Sequence, residues 1–411
     1  MKKSDLFKLF FFAVFVSVFA GCNLNNDDDD NSEDKYLVSF EKKGSYFPTT
    51  IQAFYAVLAD DYPEIQPIAD EVKHAIDIYT ITYKTKFDGQ ELIASGLVSV
   101  PVSAGTYPVI SFQNGTNTLN SNAPSVNPNY SLYQMLESIA STGFIVSVPD
   151  YLGFGASNSM FHPYLDKEST VQAVTDMLRA VDEFVSNHLE IEMSDDLYIT
   201  GYSQGGWATM TLQKAIETEL SDEFNLKASA CGAGPYDLNL VNDYVLEQTD
   251  YPMPYYIGYI FNSYINLGDI NNTPAEIFKS PYSDRILSLY DGTKSGDEIN
   301  AQLTTKTSDL YTAEFLSGYK TDSKFTSVVT SLQKNSVTAW KTNIPTLLLH
   351  GTLDNYVPPT TSSSLYSGFM AQGVSPSVVT HVPIQGAGHS TGIIPASVAS
   401  FAWFIELNKA N

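Results

Sequence analysis

Basic residues are scarce in this chain: 22 lysines and arginines stand against 46 aspartates and glutamates, for a formal charge of −24. So acidic a protein repels phosphate backbones and anionic headgroups, which excludes nucleic acid as a partner. Cysteine is almost missing; Cys22 and Cys231 are the two that occur. Cys231 lies among small residues from Ala228 to Gly234 and reads as a buried strand residue, with no Cys/His constellation around it to make it a nucleophile. The apolar run Leu9 to Ala20 is interrupted by Ser17. It falls short of the roughly 18 residues a membrane-spanning helix needs. No internal repeat is visible. What the chain does have is bulk: 411 residues, 43% hydrophobic and 13% aromatic, enough to bury one large core or two small ones.

Its most informative stretch is Ile199-Thr200-Gly201-Tyr202-Ser203-Gln204-Gly205-Gly206-Trp207. Leu197 to Thr200 reads as a short buried strand. From Trp207 through Met210, Leu212 and Ile216 the apolar spacing is that of an amphipathic helix. Between them G-x-S-x-G predicts the sharp strand-to-helix turn that lifts a serine hydroxyl clear of a sheet. Gly201 and Gly205 flank a strained residue at a point where side chains would collide with neighbouring elements. Ser203 is then the candidate nucleophile, and the backbone N–H of Gln204 is free to face an oxyanion. The alternative is a Gly-rich helix entry with a buried capping serine.

Elsewhere the pattern alternates. Pro48 to His74 reads as mostly helical, and Ile78 to Lys86 with Glu91 to Val100 as a hairpin turning at Phe87-Asp88-Gly89-Gln90. Strands are expected at Pro108–Gln113, Phe144–Val148, Ala228–Gly232, Thr346–His350 and Val378–Val382. Helices are expected at Tyr130–Thr142, Glu168–His188 and Ile394–Leu407. Apolar strands separated by helices predict an α/β fold: a mostly parallel central sheet with helices on both faces. Residues 237–343 interrupt that alternation, and a hundred-residue connection is too long for a loop. This tyrosine-rich segment is expected to be an inserted cap subdomain. Most of its tyrosines should serve packing, with an inner face left to line a substrate pocket.

A serine hydroxyl is a weak nucleophile at neutral pH; it needs a base, and the base needs an orienting acid. On an elbow of this kind the chain order is serine, acid, histidine. His74, His162 and His188 precede Ser203; His350 sits at a strand end as a structural turn residue, and His381 lies within the last strand. His389, in Gln385-Gly386-Ala387-Gly388-His389-Ser390, occupies the flexible loop that could carry an imidazole over the sheet edge. For the acid, Asp354 follows Leu347-Leu348-Leu349-His350-Gly351-Thr352-Leu353, with Asp237 after the preceding strand as its rival. A second oxyanion donor is expected from the backbone of Thr116, in the turn Gln113-Asn114-Gly115-Thr116.

The N-terminus has its own pattern. Lys2 and Lys3 precede the apolar run, which ends Ser17-Val18-Phe19-Ala20-Gly21-Cys22. This resembles a bacterial lipoprotein signal, implying cleavage after residue 21 and a diacylglycerol on Cys22, and so no intrachain disulfide. An ordinary secretory signal cleaved nearby is the alternative. Residues 22–35 are polar and acidic and read as a flexible tether; acidic residues just after the cysteine resemble the surface-export signal of Bacteroidota lipoproteins. The expected location is therefore outside the cytoplasm, lipid-anchored to the outer membrane.

Pro149-Asp150-Tyr151-Leu152-Gly153-Phe154-Gly155, His162-Pro163-Tyr164-Leu165, Gly201-Tyr202-Ser203-Gln204-Gly205-Gly206, Gly234-Pro235-Tyr236-Asp237-Leu238 and the Asp354 and His389 loops together resemble the α/β-hydrolases, in their secretory-lipase and cap-bearing esterase branch. The resemblance implies an α/β-hydrolase fold with its core in residues 36–236 and 344–411. It implies hydrolysis of carboxylic esters through an acyl-enzyme, with no cofactor and no metal, on a small-molecule, lipid or glycan ester. The alternatives are a serine peptidase of the same fold, a glycan acetyl or feruloyl esterase, and a non-catalytic surface binding lipoprotein.

Overall fold

The computed structural model describes residues 34–410. The leader, Cys22 and the tether up to residue 33 lie outside the described residues. Asp34 accepts hydrogen bonds from Asn187 Nδ2 and His188 Nε2, and the Lys35 amide donates to Glu183. The chain is thus held against the helix Lys167–His188 from Asp34 onward.

Nine strands form one sheet in the order β1-β2-β3-β5-β4-β6-β7-β8-β9. They are β1 (Leu37–Tyr46), β2 (Ile76–Phe87), β3 (Gln90–Pro101), β4 (Thr106–Gln113), β5 (Ile145–Pro149), β6 (Glu192–Tyr202), β7 (Asn225–Gly232), β8 (Thr346–Gly351) and β9 (Val379–Ile384). From β5 to β9 every pairing is parallel. The hairpin β2–β3, expected from its turn, pairs antiparallel, as do β1 on β2 and β3 on β5. β1 was not anticipated. It is an edge strand whose side chains are mostly exposed, and Lys42 and Lys43 blur any alternation while discouraging edge-to-edge association.

Successive residues of the central strands feed two cores, as the strand period of two requires. Leu197 and Ile199 of β6 pack with the helices Lys167–His188 and Gln204–Glu219. Tyr198 and Tyr202 point to the opposite face, covered by the helices Pro48–Ala59 and Ile393–Ala410. The helical stretch read over residues 48–74 is shorter than expected: it stops at Ala59, and a 3-10 turn at Pro63–Ile65 and a short helix Gln66–Ala69 follow. Pro63 has no N–H to give and forces Tyr62 out of the helical region, to φ −136° and ψ 74°.

Between β7 and β8 the chain is helical, led by Leu238–Glu247, Pro254–Asn266 and Thr326–Asn335. Its buried tyrosines are tied to the sheet side. Tyr264 Oη donates to Leu165 O at 2.9 Å, and Tyr251 Oη to Tyr356 O at 3.0 Å. Trp207 Nε1, on the helix after β6, donates to Asn335 O at 2.9 Å. Both Leu165 and Tyr356 belong to loops at the carboxyl ends of the parallel strands, where open α/β sheets place their ligand sites.

Candidate active site

Ser203 stands between β6 and the helix Gln204–Glu219 with φ 60° and ψ −122°, a conformation non-glycine residues rarely hold. Its neighbours make that turn possible. A Cβ on Gly205 would lie 1.9 Å from Gln113 O, and one on Gly206 2.2 Å from Gly232 O. The helix therefore starts in direct contact with the backbones of β4 and β7, and the Ser203 amide donates to Gly232 O at 2.8 Å. The strain, on the order of 1–3 kcal/mol, is held in place by these contacts on both sides.

His389 and Asp354 meet this serine from two loops that are bonded to each other. The Leu353 amide donates to Ala387 O at 2.9 Å and the Gly386 amide to Thr352 Oγ1 at 3.0 Å. A Cβ on Gly351 would strike Ala387 O at 2.4 Å, so the close crossing of the loops needs glycine there. Across this seam His389 Nδ1 is 2.6 Å from Asp354 Oδ2, and His389 Nε2 is 2.9 Å from Ser203 Oγ. A carboxylate can only accept, so Nδ1 carries the proton and Nε2 is left to accept from the serine hydroxyl. Tyr202, next to the serine, donates its hydroxyl to His389 O at 2.7 Å and fixes the histidine loop against the elbow.

Asp354 is 5% exposed. Its Oδ1 accepts from the Tyr356 and Val357 amides, both at 2.9 Å. Burial alone would push its pKa up, but hydrogen bonds from His350 and His389 outweigh that and hold the carboxyl well below the usual carboxylate range. Asp237, the rival acid, instead caps the helix Leu238–Glu247, accepting from the Leu240 amide at 3.0 Å. His381 lies within β9, its ring 5.9 Å from that of Tyr366. Cys231 is fully buried in β7, and burial pushes its thiol up to about 12.

Gln204, as the first residue of its helix, has a backbone N–H with no intrahelical acceptor. Its side chain is held by His162, whose Nδ1–H donates to Leu152 O at 2.7 Å; the other ring nitrogen, Nε2, accepts from Gln204 Nε2 at 3.0 Å. Burial lowers the His162 pKa to about 4, so the ring is neutral, as that acceptor role demands. Thr116 is held by the same loop: its hydroxyl is 2.7 Å from Tyr164 Oη. Tyr164 stacks on Tyr259 at 4.5 Å, and Tyr259 on Tyr290 at 4.6 Å. Sequence reasoning picked out the His162–Leu165 segment and quoted Tyr202 within the Ser203 motif, but gave neither His162 nor Tyr202 a task.

Beside Ser203 opens a pocket. Tyr164, Leu165 and Tyr356 wall it from the sheet side, and Tyr251, Tyr256 and Ile260 from the helical segment between β7 and β8. It is apolar with phenolic edges, and it adjoins the serine hydroxyl directly. Among the described residues there is no group of acidic, histidine and cysteine side chains that could hold a metal ion.

Similar proteins share this build. A protein from Legionella pneumophila described as a candidate hydrolase superposes with a TM-score of 0.79 at 26% identity, over 90% of this chain and 98% of that one. The rice cell wall degrading esterase LipA from Xanthomonas oryzae gives 0.76 at 24% identity, over 91% and 97%. Lipase A of Candida antarctica in its closed state gives 0.65 at 14%, over 90% and 81%. At those last two identities the likeness is one of fold. None of the curated proteins compared matches the chain. The family model of the secretory lipases matches residues 119–409, which runs from the loop after β4 to the last helix and takes in the elbow and both loops that meet it. The chain belongs to the secretory lipase family and is a hydrolase of carboxylic esters.

Proposed function

We propose that the ester hydrolysis runs through an acyl-enzyme on Ser203, with His389 as general base and acid and Asp354 as its orienting partner. The observation that carries this reading is the unbroken line of hydrogen bonds from Ser203 Oγ through His389 to Asp354, at 2.9 and 2.6 Å. Ser203 Oγ attacks the ester carbonyl while His389 Nε2 takes its proton. The backbone N–H groups of Gln204 and Thr116 bind the resulting oxyanion. Collapse of the tetrahedral intermediate expels the alcohol, which receives the proton from His389, and water then repeats the sequence on the acyl-serine. Residues 237–343 act as a cap whose inner face supplies Tyr251, Tyr256 and Ile260 to the acyl pocket. Export fits the secretory family; anchoring through a lipid on Cys22 to the outer membrane is the accompanying proposal, supported by the residues before Cys22.

Hydrolysis of p-nitrophenyl esters from acetyl to palmitoyl by the full-length protein in detergent tests the chemistry, with Ser203→Ala alongside. Ser203→Ala should lower kcat by at least ~10³-fold while the protein stays folded. A Ser203→Ala protein with parental activity refutes the mechanism. Mass spectrometry of the membrane-associated protein, seeking the acylated Cys22 peptide, tests the anchor.

A further inference from the structure

Asp354 has a second histidine. His350, at the end of β8 and 1% exposed, places Nε2 3.2 Å from Asp354 Oδ2 and 3.0 Å from Val357 O. Its Nδ1 lies 2.7 Å from Ser362 Oγ, on the helix Thr360–Ala371. Nε2 faces two acceptors, so the proton sits there, and Nδ1 accepts from the Ser362 hydroxyl. Both carboxylate oxygens then have partners: two backbone amides bond Oδ1, His389 bonds Oδ2, and the His350 Nε2–H, which bonds Val357 O, approaches Oδ2 to 3.2 Å as a second acceptor. Without the His350 donor, nothing but His389 itself would hold Oδ2, and the carboxylate could swing about its amide-bound oxygen. The group that orients the base would be oriented by the base.

We propose that His350 is a positioning residue of the hydrolytic site, its Nε2–H holding Asp354 Oδ2 in line with His389 Nδ1 while His389 gains and loses its proton. This rests on the Ser203 mechanism above. An N–H donor on that side stabilises the carboxylate and offers no acceptor that could lure the His389 proton away. It also joins the sheet, the acid loop and the following helix through one side chain.

The test compares His350→Leu, His350→Gln and Ser203→Ala in the full-length protein, using p-nitrophenyl butyrate and circular dichroism as a check on folding. A hydrogen bond to a charged group is worth about 1.5–3 kcal/mol, so His350→Leu should lose ~10- to 100-fold in kcat with KM within about twofold. His350→Gln keeps an N–H donor of similar reach and should recover to within about fivefold of the parent. The acid limb of kcat/KM gives a second readout. His389 faces Asp354, Tyr202, Tyr256 and Tyr356, and Asp354 is further approached by Tyr244 and Tyr251. Burial raises the pKa of Tyr202, Tyr244, Tyr251 and Tyr256, leaving them neutral there, and His381 is the further titratable group that senses His350. A carboxylate that swings out of line with Nδ1 holds the His389 proton less tightly, so in His350→Leu the limb moves to lower pH, and in His350→Gln it stays. A folded His350→Leu with parental kcat and limb, or a His350→Gln no better than His350→Leu, overturns the proposal. If Ser203→Ala is inactive, such a result removes the role of His350 alone; if Ser203→Ala is active, the mechanism beneath falls and the proposal with it.

Discussion

His162 should make the protein's stability fall on mild acidification, by an amount the structure sets. The ring is fully buried, with a pKa lowered from 6.5 to about 4 by desolvation, against a backbone hydrogen bond to Leu152 that raises it. Above pH 6.5 the ring is neutral in the folded and unfolded chain, and its contribution is fully present. Below 6.5 the unfolded chain takes up a proton that the folded one refuses until about pH 4. Stability therefore drops by about 1.4 kcal/mol per pH unit across that window, and by ~2.5 kcal/mol between pH 7 and 4.5. His162→Gln removes the titration. Its absolute stability will differ from the parent's through the changed bonds to Leu152 and Gln204, but that offset is constant with pH. The difference between the two proteins, from urea unfolding followed by tryptophan fluorescence at pH 7, 6, 5 and 4.5, should shift by ~2.5 kcal/mol in favour of the variant as pH falls. The reasoning depends on Gln204 presenting its amide nitrogen to His162. Were the Gln204 amide to turn and offer Oε1, which has no hydrogen-bond partner of its own, a protonated ring would be welcomed. A difference that stays within about 0.5 kcal/mol across the range refutes the refusal of that proton.

Two further substitutions follow from the same kind of bookkeeping. Glu137 is 1% exposed with neither carboxyl oxygen bonded, and burial raises its pKa well above the usual value, so it folds protonated. Its contribution is complete below the unfolded carboxyl pKa and declines by about 1.4 kcal/mol per pH unit above it, up to the folded pKa; Glu137→Gln should therefore gain on the parent as pH rises from 5 to 7 in the same urea experiment, the reverse of His162→Gln. Gly205→Ala drives a Cβ to 1.9 Å from Gln113 O, where backbone faces backbone and neither can rotate away. It should cost ~3 kcal/mol of stability and at least ~10²-fold in fluorophosphonate labelling of Ser203; a variant that melts and labels like the parent removes the close helix–strand contact from the account.

The parts of the fold legible in the sequence are those whose signal is local. The strand-turn-helix around Ser203 announces itself because the strain of one residue needs glycines at fixed offsets, and the buried parallel strands because both faces demand apolar side chains. β1 was illegible for the opposite reason: as a mostly exposed edge strand it needs little beyond an extended backbone, so Lys42 and Lys43 cost it nothing. The helical stretch after Pro48 was overread because apolar spacing continues past Ala59 while Pro63 breaks the backbone. Segment 237–343 stands out in the sequence by its length, but its tyrosine richness did not say which rings would reach the pocket. Tyr251 and Tyr256 do, whereas Tyr259 and Tyr264 are spent on stacking against Tyr164 and bonding to Leu165.

Ser203, Asp354 and His389 were picked out as candidates by chain order and loop position, and the structure brings the His389 side chain within hydrogen-bond distance of the other two. The side chains that steady them were not found, and the reason is geometric. Tyr202 reaches the loop of His389 across 187 positions of sequence, and Gln204 reaches His162 across 42. Nothing in a one-dimensional spacing encodes such pairs, because the sheet crossing that makes them neighbours is a property of the whole strand order. His350 is the instructive exception. It lies four residues before Asp354, close enough for a local reading, yet a histidine ahead of a turn glycine looks structural. What would separate a structural histidine from a positioning one is what its Nε2–H reaches: here it bonds Val357 O and lies 3.2 Å from the carboxylate oxygen that His389 bonds.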